Sequence, residues 1–138
     1  MKLDIVSPEK TLYSGDVDQI TVDTADGRIG ILPHHVNLFT KLIGGEMKLK
    51  VGGKEEILAV TGGFLQVRNN VVTILADYAV HAEDIDVQKA IEAQKRAEEI
   101  LKKKEGQLSD AEYADLQSAL GRAILELKIA DHRKRRAH

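Results

Sequence analysis

The sequence predicts an α+β chain in two parts: an N-terminal β-sandwich or flattened barrel of about nine or ten short strands, then a C-terminal antiparallel two-helix hairpin. Three observations carry this reading. Nine of the eleven glycines lie at or before position 63 of the 138 residues, punctuating short apolar runs as an all-β segment requires. From Ile85 onward only Gly106 and Gly121 remain, prolines are absent, and Ala, Glu, Lys, Gln and Leu take over, a helix-forming mixture. The apolar period changes at the same place, from 2 to 3.6 residues. The expected domains are residues 1–84 and 85–138.

Candidate strands run Lys2 to Ser7, Thr11 to Ser14, Val17 to Thr24, Arg28 to Leu32, Glu46 to Val51, Glu55 to Val60, Phe64 to Arg68 and Val71 to Ala76, with a weaker one near Tyr78 to His81. Leu3 and Ile5 alternate with Lys2 and Asp4, and Met47, Leu49 and Val51 with Lys48 and Lys50, so each run has an inward face. Gly52-Gly53 and Asn69-Asn70 are two-residue hairpin signals, because Gly and Asn tolerate positive φ.

Asp86 is placed to cap the first helix, with Val87, Ala90, Ile91, Ala97 and Leu101 on its apolar stripe. Gly106 stops that helix. Ser109-Asp110-Ala111-Glu112 then reads as a capping box opening a second helix of similar length, striped by Leu116, Leu120, Ala123, Ile124 and Leu127. Stripes this rich in alanine allow close approach but bury little apolar area at about 25 cal/mol per Å². The expectation is a marginal contact that a partner can open.

Composition excludes several functions. The chain is 43% hydrophobic, 30% charged and 4% aromatic, with no cysteine and a formal net charge of -2. A chain of this length holds one domain, or a compact domain with an appendage, and needs no metal or disulfide staple. Thiolate nucleophiles, Cys-based zinc sites and iron-sulfur clusters are out. Residues 1–85 carry 8 basic and 12 acidic side chains, and residues 86–138 carry 12 and 10. No run approaches the ~18 apolar residues of a membrane span, and Met1-Lys2-Leu3-Asp4 lacks a signal-peptide core. The expected location is cytosolic, with membrane association only through a partner.

Catalytic patterns are missing too. The histidines are His34, His35, His81, His132 and His138; adjacent His34 and His35 do not form a ligand pair, and no carboxylate follows at metal-ligand spacing. Neither is read as a metal ligand; each is read as anchoring a loop. None of the four serines sits in a nucleophile elbow. Gly27-Arg28-Ile29-Gly30 lies between strands with no helix after it, so it matches no phosphate-cradling fingerprint. Arg133-Lys134-Arg135-Arg136 is a compact basic cluster without aromatics for base stacking, which disfavours nucleic acid. No catalytic and no metal-binding residue is assigned.

Several words in the sequence resemble the epsilon-subunit family of the bacterial F-type ATP synthase: Leu3-Asp4-Ile5-Val6-Ser7-Pro8-Glu9, Gly27-Arg28-Ile29-Gly30-Ile31-Leu32-Pro33-His34-His35, Thr61-Gly62-Gly63-Phe64-Leu65-Gln66-Val67 and Val72-Thr73-Ile74-Leu75-Ala76-Asp77. The resemblance spans the chain in order. The family's middle motif usually runs G-x-L-G-I-x-P-G-H, so the chain departs at Ile29 and at His34, where glycine is usual.

The resemblance implies a non-catalytic rotor subunit of the central stalk, present once per complex as a peripheral part of the F1 sector on the cytoplasmic face of the cell membrane. Its implied partners are the gamma subunit, the c-ring and the alpha/beta hexamer. Arg28, Ile31 and His35 are the implied contacts to the ring and gamma. The mobile hairpin would inhibit ATP hydrolysis when extended, with Arg122, Lys128, Arg133, Lys134, Arg135 and Arg136 facing an acidic segment of the beta subunit. Some members bind regulatory ATP through an I-D-x-x-R-A word and further arginines. Here the corresponding residues are Ile85, Asp86, Lys89, Ala90, Arg96 and Arg122, with Lys89 replacing an arginine and Glu126 standing where the last arginine falls. A lysine loses the planar fork and a carboxylate reverses the sign, so no cofactor is required and regulatory ATP is a secondary expectation. Rival readings are a freestanding nucleotide sensor, a cupin-like enzyme with a helical tail, and a basic-tailed nucleic-acid binder.

Overall fold

A computed structural model describes the backbone of residues 1–136 and the side chains of residues 1–133. The chain divides between Glu83 and Asp84 into two compact units.

The first unit contains eight strands: β1 (Lys2–Val6), β2 (Thr11–Asp16), β3 (Gln19–Thr24), β4 (Gly27–Ile31), β5 (Leu38–Val51), β6 (Lys54–Arg68), β7 (Val71–Ala76) and β8 (Ala79–His81). The sheet runs β2-β1-β7-β6-β5-β3-β4, with β8 attached to β6. Its neighbours are antiparallel except β1 and β7, which run parallel from Lys2↔Val71 to Val6↔Leu75. The strand count is lower than expected because Glu55 to Val60 and Phe64 to Arg68 are one strand; β5 is also longer than expected, beginning at Leu38 rather than Glu46.

The glycines expected to separate those strands instead bend them. β5 and β6 pair along most of their 14 and 15 residues, and Leu42 faces Gly63 while Ile43 faces Gly62. β6 changes neighbour at this corner, pairing with β8 through Leu58–Val60 and with β7 from Gly63 onward. Strands that turn from one layer of a sandwich to the other do so at such bends. At Gly63 φ is +133° and an added Cβ would overlap the Leu75 carbonyl oxygen, so only glycine fits. Asp77 N–H donates to the Gly62 carbonyl at 2.9 Å and Thr61 N–H to the Tyr78 carbonyl at 3.0 Å, pinning the corner.

The inward faces build one core. Leu3, Ile5, Ile20, Ile31, Met47, Leu49, Leu58, Leu65 and Ile74 are all fully buried. Both sequence-marked hairpins form, with Gly52 and Gly53 at φ +57° and +80° and Asn69 and Asn70 at +50° and +65°. A third, Ala25-Asp26, is held by buried Thr24, whose hydroxyl donates to the Gly27 carbonyl at 2.7 Å and accepts from Asp26 N–H at 3.1 Å.

The second unit is a helix pair, α1 (Val87–Lys103) and α2 (Asp110–Arg136). Asp86 Oδ1 accepts from Lys89 N–H at 3.1 Å and caps α1. Ser109 Oγ accepts from Glu112 N–H at 3.1 Å while Glu112 Oε1 accepts from Ser109 N–H at 3.2 Å, the reciprocal box that opens α2. Gly106 turns the chain at φ +79°. The helices are unequal, 27 residues against 17, because no glycine, proline or cap interrupts the helix-favouring run after Gly121, and one glycine there costs only about 1 kcal/mol. Ala90, Ala97 and Ala123 are buried as the stripes predict, but Val87 and Ile124 are exposed and Ile129 and Ala130 are buried instead.

Candidate functional site

Sheet alternation sorts residues between the core and the outer surface. On β5 to β7, Thr40, Leu42, Leu65, Val67, Val72 and Ile74 point into the core. The residues between them point out: Lys41 faces Phe64, and Phe64 faces Leu75 on β7. The Phe39 and Phe64 rings stack with centroids 5.7 Å apart. Ile43 and Leu75, on this face near the glycine corner, are about half exposed. These four side chains form an apolar patch on a face that also carries Lys41, Gln66, Arg68 and Thr73, with exposed Val71 beside Arg68. A cluster of large apolar side chains rimmed by polar ones marks an interaction surface.

The loop between β4 and β5 projects two more apolar side chains, Leu32 at 56% and Val36 at 75% exposure. Its backbone is tightly bonded. His35 N–H donates to the Leu32 carbonyl at 3.1 Å, and His35 Nδ1 lies 2.8 Å from the Val36 carbonyl oxygen. His34 N–H donates to Asn70 Oδ1 at 2.7 Å, and Asn69 N–H donates to Asn37 Oδ1 at 3.0 Å. A shallow groove of about 390 Å³ runs beside it, lined by Asn37, Leu38, Phe39, Gln66, Val67 and Arg68.

Of the three contact residues expected from the sequence, Arg28 is at the surface, its Nε 3.7 Å from Asp23 Oδ1. His35 is half-buried and bonded within its own loop. Ile31 is fully buried and offers no surface to a partner. It occupies the inward position of β4 opposite Ile20, and alternation puts Arg28 and Gly30 outward instead. Phe39, Phe64 and Leu75 were not singled out from the sequence. Their signal was the interruption of strict alternation in Leu38-Phe39-Thr40 and Gly63-Phe64-Leu65, where apolar residues occupy both faces.

On the hairpin, Lys89, Arg96, Arg122 and Lys128 are exposed, Arg133 and Glu126 are half-buried, and Ile85 and Ala90 are buried. Asp86 spends its carboxylate on the α1 N-terminus. The side chains of Lys134, Arg135 and Arg136 lie outside the described residues. Lys89 and Arg96 are two turns apart, hence on one side of α1.

His81 ends β8 with Nε2 3.0 Å from the Leu12 carbonyl oxygen and Nδ1 2.7 Å from Glu56 Oε1, an ion pair when the ring is protonated. Beside it, burial and then the negative charges of Glu56, Asp16 and Asp18 push the Tyr13 phenol up. Its hydroxyl donates to the Asp16 carbonyl at 3.1 Å. This cluster holds strand ends together. Among the described residues no group of three or more His, Asp or Glu is placed to hold a metal ion, and no helix is long and apolar enough to cross a membrane.

Comparison with known proteins gives a consistent result. Residues 1–82 match the family model described as ATP synthase, Delta/Epsilon chain, beta-sandwich domain, and residues 83–131 match ATP synthase, Delta/Epsilon chain, long alpha-helix domain. The ATP synthase epsilon chain of Dehalococcoides mccartyi is 45% identical over all of this chain and 96% of its own length. That of Chromobacterium violaceum is 41% identical over all of this chain and 98% of its own. Among solved structures, a chain of the Euglena gracilis mitochondrial ATP synthase OSCP/F1/c-ring assembly aligns at TM-score 0.66 and 27% identity, over 86% of this chain and 74% of that one. A chain of the Tetrahymena thermophila mitochondrial central stalk/c-ring structure aligns at TM-score 0.57 and 17% identity, over 94% and 95%, a likeness of fold.

Proposed function

The chain belongs to the ATP synthase delta/epsilon family as an epsilon chain, and from that premise we propose that it is a non-catalytic rotor subunit of the central stalk. It couples ion flow through the membrane ring to ATP synthesis and restrains ATP hydrolysis with its helices. The observation that carries the reading is the outer apolar patch of Phe39, Ile43, Phe64 and Leu75. Covering one large apolar side chain is worth about 1.5–3 kcal/mol, so a patch of four supplies the anchor of a stable protein interface. Its occupant in this reading is the gamma subunit. The bonded Leu32 to Val36 loop, with Arg28 nearby in sequence, faces the c-ring. The complex lies at the cytoplasmic face of the cell membrane, and this chain reaches the membrane only through it.

The hairpin is the regulatory part. Its buried stripe includes Ala90, Ala97 and Ala123, and small side chains bury little area, so two arrangements of the helices separated by a few kcal/mol are accessible. Exposed Arg122 and Lys128, with the basic run from Arg133, supply charge for an acidic surface of the beta subunit. The test is reconstitution into membranes whose ATP synthase lacks this chain. Restored ATP-driven ion pumping supports the rotor role; pumping unchanged by its addition refutes it.

A second reading, regulatory ATP bound by the hairpin, draws on Lys89, Arg96 and Arg122, three exposed cations. Glu126, one turn beyond Arg122, opposes a triphosphate. Calorimetric titration of the full chain with MgATP tests it, and absence of heat at millimolar nucleotide removes it.

A further inference from the structure

We propose that Asn70 is a positioning residue for the Leu32 to Val36 loop: its side-chain amide holds His34 in a left-handed conformation that the motif usually leaves to glycine. The inference rests on the reading that this loop is a contact surface, and it adds what gives the loop its shape.

His34 has φ +68°. A non-glycine residue pays for that conformation, by roughly tenfold in its population, although histidine tolerates it better than most. One compensation is local, the His35 N–H to Leu32 carbonyl bond that closes the turn; the other comes from 36 residues away, where Asn70 Oδ1 accepts the His34 N–H at 2.7 Å. A second bond runs the opposite way, from Asn69 N–H to Asn37 Oδ1 at 3.0 Å. Each segment therefore gives the other one backbone donor and one amide oxygen. The two bonds bracket the loop, one at its middle and one at its end, and leave Leu32 and Val36 exposed between and beside them.

The Asn69-Asn70 turn is itself fixed. It joins β6 to β7, both asparagines sit at positive φ as a tight hairpin requires, and Lys2 N–H reaches the Asn70 carbonyl at 3.4 Å. The loop's own turn, Leu32-Pro33-His34-His35, closed by His35 N–H to the Leu32 carbonyl at 3.1 Å, places the positive φ at His34, and the rigid Asn69-Asn70 turn clasps it there. A loop ordered before it meets a partner loses less freedom on binding. Glycine at position 34 would remove the strain but also the reason for the clasp. His34 and Asn70 should therefore act as a pair.

The experiment uses the full chain and four variants: Asn70→Gly, which keeps the turn's positive φ but removes the amide; Asn70→Asp, which keeps an acceptor oxygen; His34→Gly; and the double variant His34→Gly/Asn70→Gly. The readout is the hydrogen-exchange rate of the residue 35 amide, which closes the loop's turn on the Leu32 carbonyl without touching Asn70, with the global unfolding midpoint measured alongside. The expected result is about tenfold faster exchange in Asn70→Gly, near-normal exchange in Asn70→Asp, and an Asn70→Gly effect at least threefold smaller when residue 34 is glycine. Exchange at residue 35 unchanged by Asn70→Gly, or changed equally in both backgrounds, overturns the proposal. Ion pumping by complexes carrying Asn70→Gly reads the contact separately. A loosened loop with undiminished pumping sustains the positioning role and refutes the contact reading.

Discussion

Phe39 and Phe64 stack with ring centroids 5.7 Å apart and planes 17° from parallel, although 69% and 46% of the two residues remains open to solvent. Such a pair contributes about 0.5–1.5 kcal/mol beyond its area when buried, and in the isolated chain most of that area is wet. The arrangement stabilises the sandwich little and serves a partner well. Phe39→Ser and Phe64→Ser should each shift the unfolding free energy by less than about 1 kcal/mol, because exposed side chains contribute little to the core. The same changes should lower affinity for the gamma subunit by tenfold or more, measured by calorimetric titration. Equal losses in stability and binding would return the pair to the fold.

The glycine corner makes the opposite prediction. Gly63→Ala places a Cβ onto the Leu75 carbonyl at a φ of +133°, where neither backbone nor neighbour has room. Urea unfolding should show a loss of several kcal/mol, in the range of about 3 or more. A native-like midpoint would mean that the corner opens more easily than its geometry implies.

The reciprocal cap at the start of α2 carries a pH dependence. The Ser109 hydroxyl, and then the Ser109 backbone N–H, hold the Glu112 carboxyl below its ordinary value of 4.5. A carboxylate favoured by the fold contributes above that value, and its contribution is lost as pH falls through the lowered one. Amide exchange at Ser109 should therefore accelerate below about pH 4.5 beyond the intrinsic pH effect, and Glu112→Gln should flatten that dependence. Ser109→Ala should cost the helix about 1 kcal/mol. A wild-type exchange profile that follows the intrinsic pH effect alone would count against the box.

Removing the chain after Ile85 tests the hairpin as a regulator. Complexes carrying the truncated chain should pump ions when driven by ATP, since the sandwich unit keeps its patch and loop. Their ATP hydrolysis should rise if the helices restrain it. Hydrolysis unchanged by the truncation, measured at saturating ATP, would assign the helices another role.

Much of this was legible before the structure. Asp86, Gly106 and the Ser109 to Glu112 box are local devices whose chemistry acts within four residues, and each appears where the sequence put it. The Gly52-Gly53 and Asn69-Asn70 hairpins are local in the same sense. What escaped depends on neighbours distant in sequence. Gly62 and Gly63 read as a break, because a break and a bend use the same residue, and only Leu42 and Leu75 across the sheet decide between them. Ile31 read as a contact because a motif suggests importance without saying which way a side chain points. The Phe39 to Phe64 pair required the β5 to β6 register, and the bond from His81 to the Leu12 carbonyl spans 69 residues.

The central claim is that the outer patch docks the gamma subunit of a rotary ATP synthase, and the most direct measurement is titration of the purified full chain with its cognate gamma subunit. The account predicts a saturable one-to-one complex of micromolar or tighter affinity, weakened at least tenfold by Phe39→Ser/Phe64→Ser in a chain that remains folded. Absence of binding, or binding that the double variant leaves intact, would contradict it.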